Sequence, residues 1–388
     1  MKDEYSQYIS NLEITDDLVE AVARTVRQGD LSWPFGVTKE FERAITEYLD
    51  VKFALAHCNG TSAMYSAMFA AGVDTTSEVI CPTYTFWASI SPAVNLGAKV
   101  VFCDINEDDL LINLGSLQGA ITEKTKAIIV PHLWGRYADI EGIKKICEKH
   151  TQKIFIIEDA SHCFGARSAD KFLGTLGDIG IFSLQAGKCL VAGEGGLLVT
   201  NSFDLFDRSV YFGHYERIQY LEKSNFKDYT KTGGGYKFRI HPLGAAIALS
   251  NLKDIQTRLE QQNSLMDYFE SKLNSVNGLR IATDSYNDFS YGGRFGLRAI
   301  LNISENDKMN FIKECNDKKL HIENEYVPLL HLEKFFVENG AHNIGRNTFR
   351  NTEEMHKKLV SLPIFYRGNR SIIDAFVGHF NETLKKYI

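Results

Sequence analysis

An α/β fold built on a mainly parallel sheet, with a smaller α/β unit after it, is predicted by three features of this 388-residue chain. Short, almost wholly apolar runs recur along its first half, and helix-like segments separate several of them. A long helix-like stretch over 242–273 then precedes a second, shorter alternation. Strands that lack a polar side belong to sheets covered by helices on both faces, which is the setting of parallel sheets.

Taken in order, 41–48 reads as an amphipathic helix, Phe53–His57 as a short strand and 62–71 as a helix rich in Ala and Met. The runs 78–81, 99–102, 127–130, 154–157 and Ile179–Ser183 read as further strands, with helical stretches at 87–96 and 140–149. The polar segment 215–235, ending in a Gly cluster, reads as a long surface loop, and 242–273 as one or two helices. Length alone makes two domains the default, and the division is set at 1–255 and 256–388.

Composition narrows the class. With 44% hydrophobic and 24% charged residues the chain is an ordinary globular one. A net charge of −6 and the lack of a long Lys/Arg run argue against a nucleic-acid footprint. Residues 1–28 are acidic and too short for a helix-turn-helix unit. Seven scattered Cys without a C-x-x-C pair predict neither disulfide framework nor metal site, and suit a reducing cytoplasm. The polar start, Met1-Lys2-Asp3-Glu4, and the absence of an 18-residue apolar run predict neither secretion nor a membrane span.

The chemistry lies at strand ends. In an open parallel sheet ligands collect outside the carboxyl ends of the strands. Asp159 follows the run 154–157, and Lys188 stands 29 positions further on (188 − 159), after Ile179–Ser183 and before Gly193-Glu194-Gly195-Gly196. An amine that forms a Schiff base and an acid that holds a pyridinium nitrogen protonated are what pyridoxal 5'-phosphate (PLP) requires of a protein. Gly60-Thr61-Ser62-Ala63 stands between a strand and a helix, where backbone amides and hydroxyls meet a phosphate. Phe86 is a candidate for stacking on the pyridine ring. Taken singly, each has a plainer reading: a helix cap for Asp159 and for Gly60 to Ala63, a surface Lys, a core Phe.

The order of these pieces resembles the PLP-dependent sugar aminotransferases of the DegT/StrS group. The resemblance runs from Gly29 to Pro363. Its motifs are Phe41-Glu42 with Tyr48, Asn59-Gly60-Thr61, Pro82-Thr83-Tyr84-Thr85-Phe86, Ile121 to Ala127 running into Pro131-His132-Leu133-Trp134-Gly135, Glu158-Asp159-Ala160-Ser161-His162, Gly177-Asp178, Ser183 with Lys188, Gly193-Glu194-Gly195-Gly196, Tyr236 with Arg239, and Leu362-Pro363.

The resemblance implies a fold type I transferase with a seven-stranded sheet. It also implies transfer of an amino group from an amino acid, L-glutamate, to a keto sugar or sugar-like ketone in polysaccharide or secondary-metabolite biosynthesis. Lys188 and Asp159 would be catalytic. Gly60, Thr61 and Ser183 would hold the phosphate, Ser62 would be a further cofactor-binding residue, Phe86 would stack on the ring, and His162 would lie against the cofactor. The working unit would be a homodimer whose sites are completed by the partner's Lys237 and by the 215–235 segment.

Two departures mark this chain. Ser183-Leu184-Gln185 stands where relatives have Ser-Phe-His or Ser-Phe-Asn, and Gly235-Tyr236-Lys237-Phe238-Arg239 where they have Gly-Tyr-Asn-Tyr-Arg. One branch of the family carries His in place of the lysine and dehydrates its sugar; Lys188 aligns this chain with the transaminating members. The alternatives are a PLP enzyme of another reaction type, a dehydratase or decarboxylase, and a non-catalytic PLP-binding regulator.

Overall fold

The computed structural model describes residues 5–9, 13–32, 35–282, 289–342 and 348–388; Met1 to Glu4, whose polarity bears on secretion, lie outside the described residues. Seven strands form the large sheet: β1 (Phe53–His57), β2 (Glu78–Pro82), β3 (Lys99–Cys103), β4 (Thr125–Pro131), β5 (Phe155–Asp159), β6 (Ile179–Ser183) and β7 (Gly196–Thr200). Their order is β1-β7-β6-β5-β4-β2-β3. All neighbours pair in parallel except β7, which runs antiparallel to both β1 and β6. The expected mainly parallel sheet is therefore present, with one reversed strand.

Successive residues of a strand face opposite sides. Ile80, Ile128 and Ile156 enter one apolar cluster with Phe41, Ile45 and Leu49 of the helix Val37–Leu49. Val79, Ile129 and Ile157 enter another, with Met64, Ala67 and Met68 of the helix Gly60–Ala70. Both faces are covered, and for that reason the strands carry no polar side. The carboxyl ends of β1, β2, β4, β5 and β6 share one edge of the sheet.

A second sheet of four strands runs in the order Leu279–Ile281, Leu297–Leu301, Leu359–Leu362, Glu323–Asn324. Its core gathers Met266, Phe269, Leu301, Phe311, Phe376 and Phe380, with Tyr5 joining from the far end of the chain. Leu330, Phe336 and Phe349 turn back to pack on the large sheet.

The stretch 242–273 is two helices, within the expectation: Pro242–Lys253 and Ile255–Leu273, meeting at Asp254. Two segments differ in detail from expectation. The stretch 87–96 is a 3-10 turn, Trp87–Ser89, then a short helix, Ser91–Asn95, because Pro92 has no N–H to continue the first turn. The segment 215–235 holds two 3-10 turns, Tyr215–Tyr220 and Lys227–Tyr229.

Candidate active site

A cavity of about 320 Å³ opens at the carboxyl edge of the large sheet; Gly60, Thr61, Phe86, Asp159, His162, Ser183 and Lys188 all line it. Seven of the nine residues singled out from the sequence thus meet in one place, and their positions can be traced to local causes.

Asn59 explains the anion end. Its side chain accepts from the Ser62 N–H at 2.8 Å, and the Ser62 hydroxyl lies 3.3 Å from the Asn59 N–H, so the two form a reciprocal cap. The helix therefore starts at Gly60, two residues earlier than expected. The amides of Gly60 and Thr61 fall in its first turn, where N–H groups lack intrahelical acceptors and the helix dipole favours an anion. Ser62 is buried, gives its hydroxyl to the Asn59 carbonyl at 2.8 Å, and does not line the cavity. Close approach fixes the rest: a Cβ on Gly60 would stand 3.1 Å from Cβ of Ser183, and one on Gly196 would stand 2.3 Å from the Asn59 carbonyl. Glycine at 196 lets β7 pass against this turn.

Glu158 and Asp159 are neighbours that face opposite sides of β5 and do different work. Glu158 is fully buried. It accepts from the N–H groups of Gly174 (2.8 Å), Leu176 (2.7 Å) and Gly177 (2.5 Å), and from His132 Nε2 at 2.9 Å. The Ala138 N–H donates to His132 Nδ1 at 3.1 Å, so the His132 proton is on Nε2. These bonds tie the β4 and β6 approaches to β5. Asp159 turns to the cavity, where the Ser89 hydroxyl donates to it at 2.6 Å and the Ser161 N–H at 3.2 Å.

Lys188 sits over the face of Phe295, with Nζ 3.5 Å from the ring centroid. Burial pushes its amine down from 10.5 to about 8, against the opposing attraction of Asp159. His162 stacks on Phe295 (4.2 Å, 27°) and on Trp134 (5.0 Å, 29°). The Trp134 N–H donates to His162 Nδ1 at 3.3 Å, leaving the proton on Nε2. Burial, and then the charges of Lys188 and Arg298, hold its pKa well below the ordinary value, so the ring is neutral. Trp134 has a left-handed backbone, φ 60°, a conformation that costs energy in a non-glycine residue and is frequent at functional sites.

Residues 12–378 match the DegT/DnrJ/EryC1/StrS aminotransferase family. The chain belongs to this family. Family membership makes it a PLP-dependent aminotransferase. The aminotransferase is 28% identical over 327 residues to a protein named GDP-perosamine synthase from Escherichia coli O157:H7, with 84% of each chain covered. It is 26% identical over 392 aligned positions to UDP-4-amino-4-deoxy-L-arabinose–oxoglutarate aminotransferase of Shewanella sediminis, covering 95% of this chain and 96% of that one. Its fold matches that of E. coli GDP-4-keto-6-deoxy-D-mannose-3-dehydratase with bound hydrated PLP, at TM-score 0.86 and 18% identity over 96% of this chain and 98% of that chain. At that identity the likeness speaks for the fold alone.

PLP suits the residues present: an anion cradle, a carboxylate and an amine share one cavity, and a side chain larger than hydrogen at Gly60 or Gly196 would crowd the cradle. Among the described residues of the aminotransferase, no group of three or more His, Cys, Asp or Glu could hold a metal ion. No described helix is long and apolar enough to cross a membrane.

Lys237 is the second predicted residue outside the cavity of its own chain. It is exposed, with Nζ 2.8 Å from Glu216, which also receives Arg239 at 2.7 Å. Sequence reasoning missed Ser89, Phe295 and Tyr326, which also line the cavity. Ser89 and Phe295 lie 70 and 136 positions from Asp159 (159 − 89, 295 − 159), and nothing local links them. The Asn59 cap was missed as well, although Asn is a favoured N-cap residue and that signal stood in the sequence.

Proposed function

We propose that this aminotransferase moves an amino group from an amino acid, L-glutamate, to the keto group of a sugar or sugar-like ketone. We assign Lys188 and Asp159 as its catalytic residues. The observation that carries this reading is the meeting of Lys188, Asp159 and the Gly60 helix start in one cavity. The relatives named above support a sugar acceptor and an oxoglutarate-linked donor, and a relative named spore coat polysaccharide biosynthesis protein SpsC, of Bacillus subtilis, supports a role in polysaccharide biosynthesis.

PLP, when bound, supplies a carbonyl that condenses with amines and a ring that accepts electrons. The protein does the rest. Asp159, held in place by the Ser89 hydroxyl and the Ser161 N–H, would face the ring nitrogen and pair with its proton. Lys188, with its amine lowered to about 8, would be the residue that condenses with the cofactor's carbonyl and, once released, the group that holds and moves the proton at Nζ. An amine in that range is neutral in a useful fraction of molecules near neutral pH, as a proton carrier must be. Gly60, Thr61 and Ser183 would hold the phosphate, Phe86 would stack on the ring, and His162, neutral, would lie against the cofactor without adding a positive charge.

The working unit in this reading is a homodimer in the cytoplasm, with the partner's Lys237 reaching the phosphate region. The exposed position of Lys237 and the exposed aromatic rings of Tyr220, Tyr229 and Tyr236 around the 215–235 segment support it. Incubating holoenzyme with ¹⁵N-glutamate and a panel of keto sugars is the test. Label in an amino sugar supports the proposal; release of water or carbon dioxide without label transfer assigns a dehydratase or decarboxylase instead. A monomer in gel filtration that remains active would remove the shared site.

A further inference from the structure

Phe295 and Tyr326 line two cavities at once. Besides the one holding Lys188 and Asp159, they border a second of about 300 Å³, lined also by Trp134, Arg298, His321, Glu323, Ser361 and Tyr366. Lys188 Nζ is 3.5 Å from the Phe295 centroid, so the ring that the amine sits over also borders this second space.

One wall of the second cavity is built by strand register. Arg298 pairs with Ser361, and Ser361 with Glu323, in adjacent antiparallel strands. Residues directly opposite one another in a sheet project from the same face, so Arg298, Ser361 and Glu323 stand in one polar row. Their charges are not equivalent. The Arg298 guanidinium is fully buried, donates to Glu325 at 2.5 Å and 3.4 Å, and donates to Ser361 at 3.0 Å. Tyr84 donates to the same Glu325 at 2.8 Å. The cation is thus spent on Glu325 inside the protein. Glu323 is exposed to the cavity and makes no ion pair among the described residues.

A carboxylate accepts hydrogen bonds and cannot donate, and it repels phosphate. Beside it stand the Ser361 hydroxyl and two tyrosines; burial pushes the Tyr366 phenol up, which keeps it a neutral donor. Carboxylate and hydroxyl groups next to aromatic faces match a ring that carries many hydroxyls on one set of bonds and C–H on another.

We propose that this second cavity receives the uncharged, hydroxyl-bearing ring of the keto acceptor, with Glu323 and Ser361 as the residues that read its hydroxyl groups. The acceptor's carbonyl then approaches Lys188 past Phe295, and any phosphate the acceptor carries lies outside this cavity. The inference rests on the aminotransferase reading and adds the place and chemistry of its specificity.

Saturation-transfer NMR on the holoenzyme, with myo-inositol and glucose 6-phosphate as probes, tests it. Wild type is expected to saturate the ring protons of myo-inositol more strongly than those of glucose 6-phosphate. Glu323→Gln is expected to weaken myo-inositol about tenfold, since one charge-assisted bond is lost, and Ser361→Ala by less. Unchanged myo-inositol affinity in a folded Glu323→Gln protein overturns the proposal, as does tighter binding of the phosphorylated probe by wild type, a comparison that needs no variant. A separate arm, release of 2-oxoglutarate from glutamate by wild type, distinguishes the two levels: its failure defeats the aminotransferase reading and this proposal with it, whereas its success beside a failed NMR result defeats the second cavity alone.

Discussion

Lys188 weakens the empty protein that carries it. Its amine is lowered from 10.5 to about 8, chiefly because burial penalises the ammonium form. At about 1.4 kcal/mol per pH unit, the lowering corresponds to a ceiling of about 3 kcal/mol; the amine faces a cavity that water can enter, so about 1–3 kcal/mol is expected. The folded value lies below the unfolded one, so the unfolded chain binds this proton more tightly, and stability rises with pH across that interval. The penalty is complete below pH about 8 and gone above about 10.5. Lys188→Met keeps the length of the side chain and removes the charge. Urea unfolding of the two apoproteins at pH 7 should show the variant more stable by about 1–3 kcal/mol, with the difference shrinking as pH approaches 10.5. A variant less stable than wild type at pH 7, or a difference that ignores pH, would refute the reasoning that burial sets this amine's charge.

Gly196→Ala should be among the most damaging single changes. The added methyl lands 2.3 Å from the Asn59 carbonyl and 2.6 Å from the Gly60 nitrogen, and both are backbone atoms that cannot step aside. A loss of PLP affinity of at least about tenfold with a lower melting temperature is expected; wild-type affinity by cofactor titration would contradict the cradle. Glu158→Gln removes a buried acceptor shared by three backbone N–H groups and His132, and turns an amide NH2 toward some of them. A destabilisation of about 2–4 kcal/mol is expected in chemical denaturation. Ser89→Ala deletes a 2.6 Å donor to Asp159 at a buried position, so PLP should bind more weakly in cofactor titration and the apoprotein should lose about 1–3 kcal/mol in chemical denaturation.

How far the sequence reached follows from what each residue depends on. Strands such as β5, with Ile156 and Ile157, were legible because burial on both faces leaves one kind of sequence that fits, whereas the antiparallel β7 was not read as a strand, since its apolar run Leu197 to Val199 is only three residues long and opens on glycine. Asp159 was legible as a strand-end residue, and Lys188 from its place between β6 and the run Gly193-Glu194-Gly195-Gly196. Ser62 was grouped with the phosphate loop because the helix was expected to begin at 62; the Asn59 cap moves the start to Gly60 and turns the Ser62 hydroxyl inward. Ser89, Phe295 and Tyr326 reach the cavity through packing between distant segments, which no local pattern encodes. Glu158 and Asp159 read alike as a pair of acids, and only strand alternation, with the turn around Gly174 to Gly177, divides structural from chemical duty.

Reconstitution with PLP followed by borohydride reduction and peptide mass mapping tests the central claim most directly. One cofactor fixed on Lys188, and lost in Lys188→Ala, is the predicted result. A protein that stays colourless, or whose reduced adduct maps to another lysine, would contradict it.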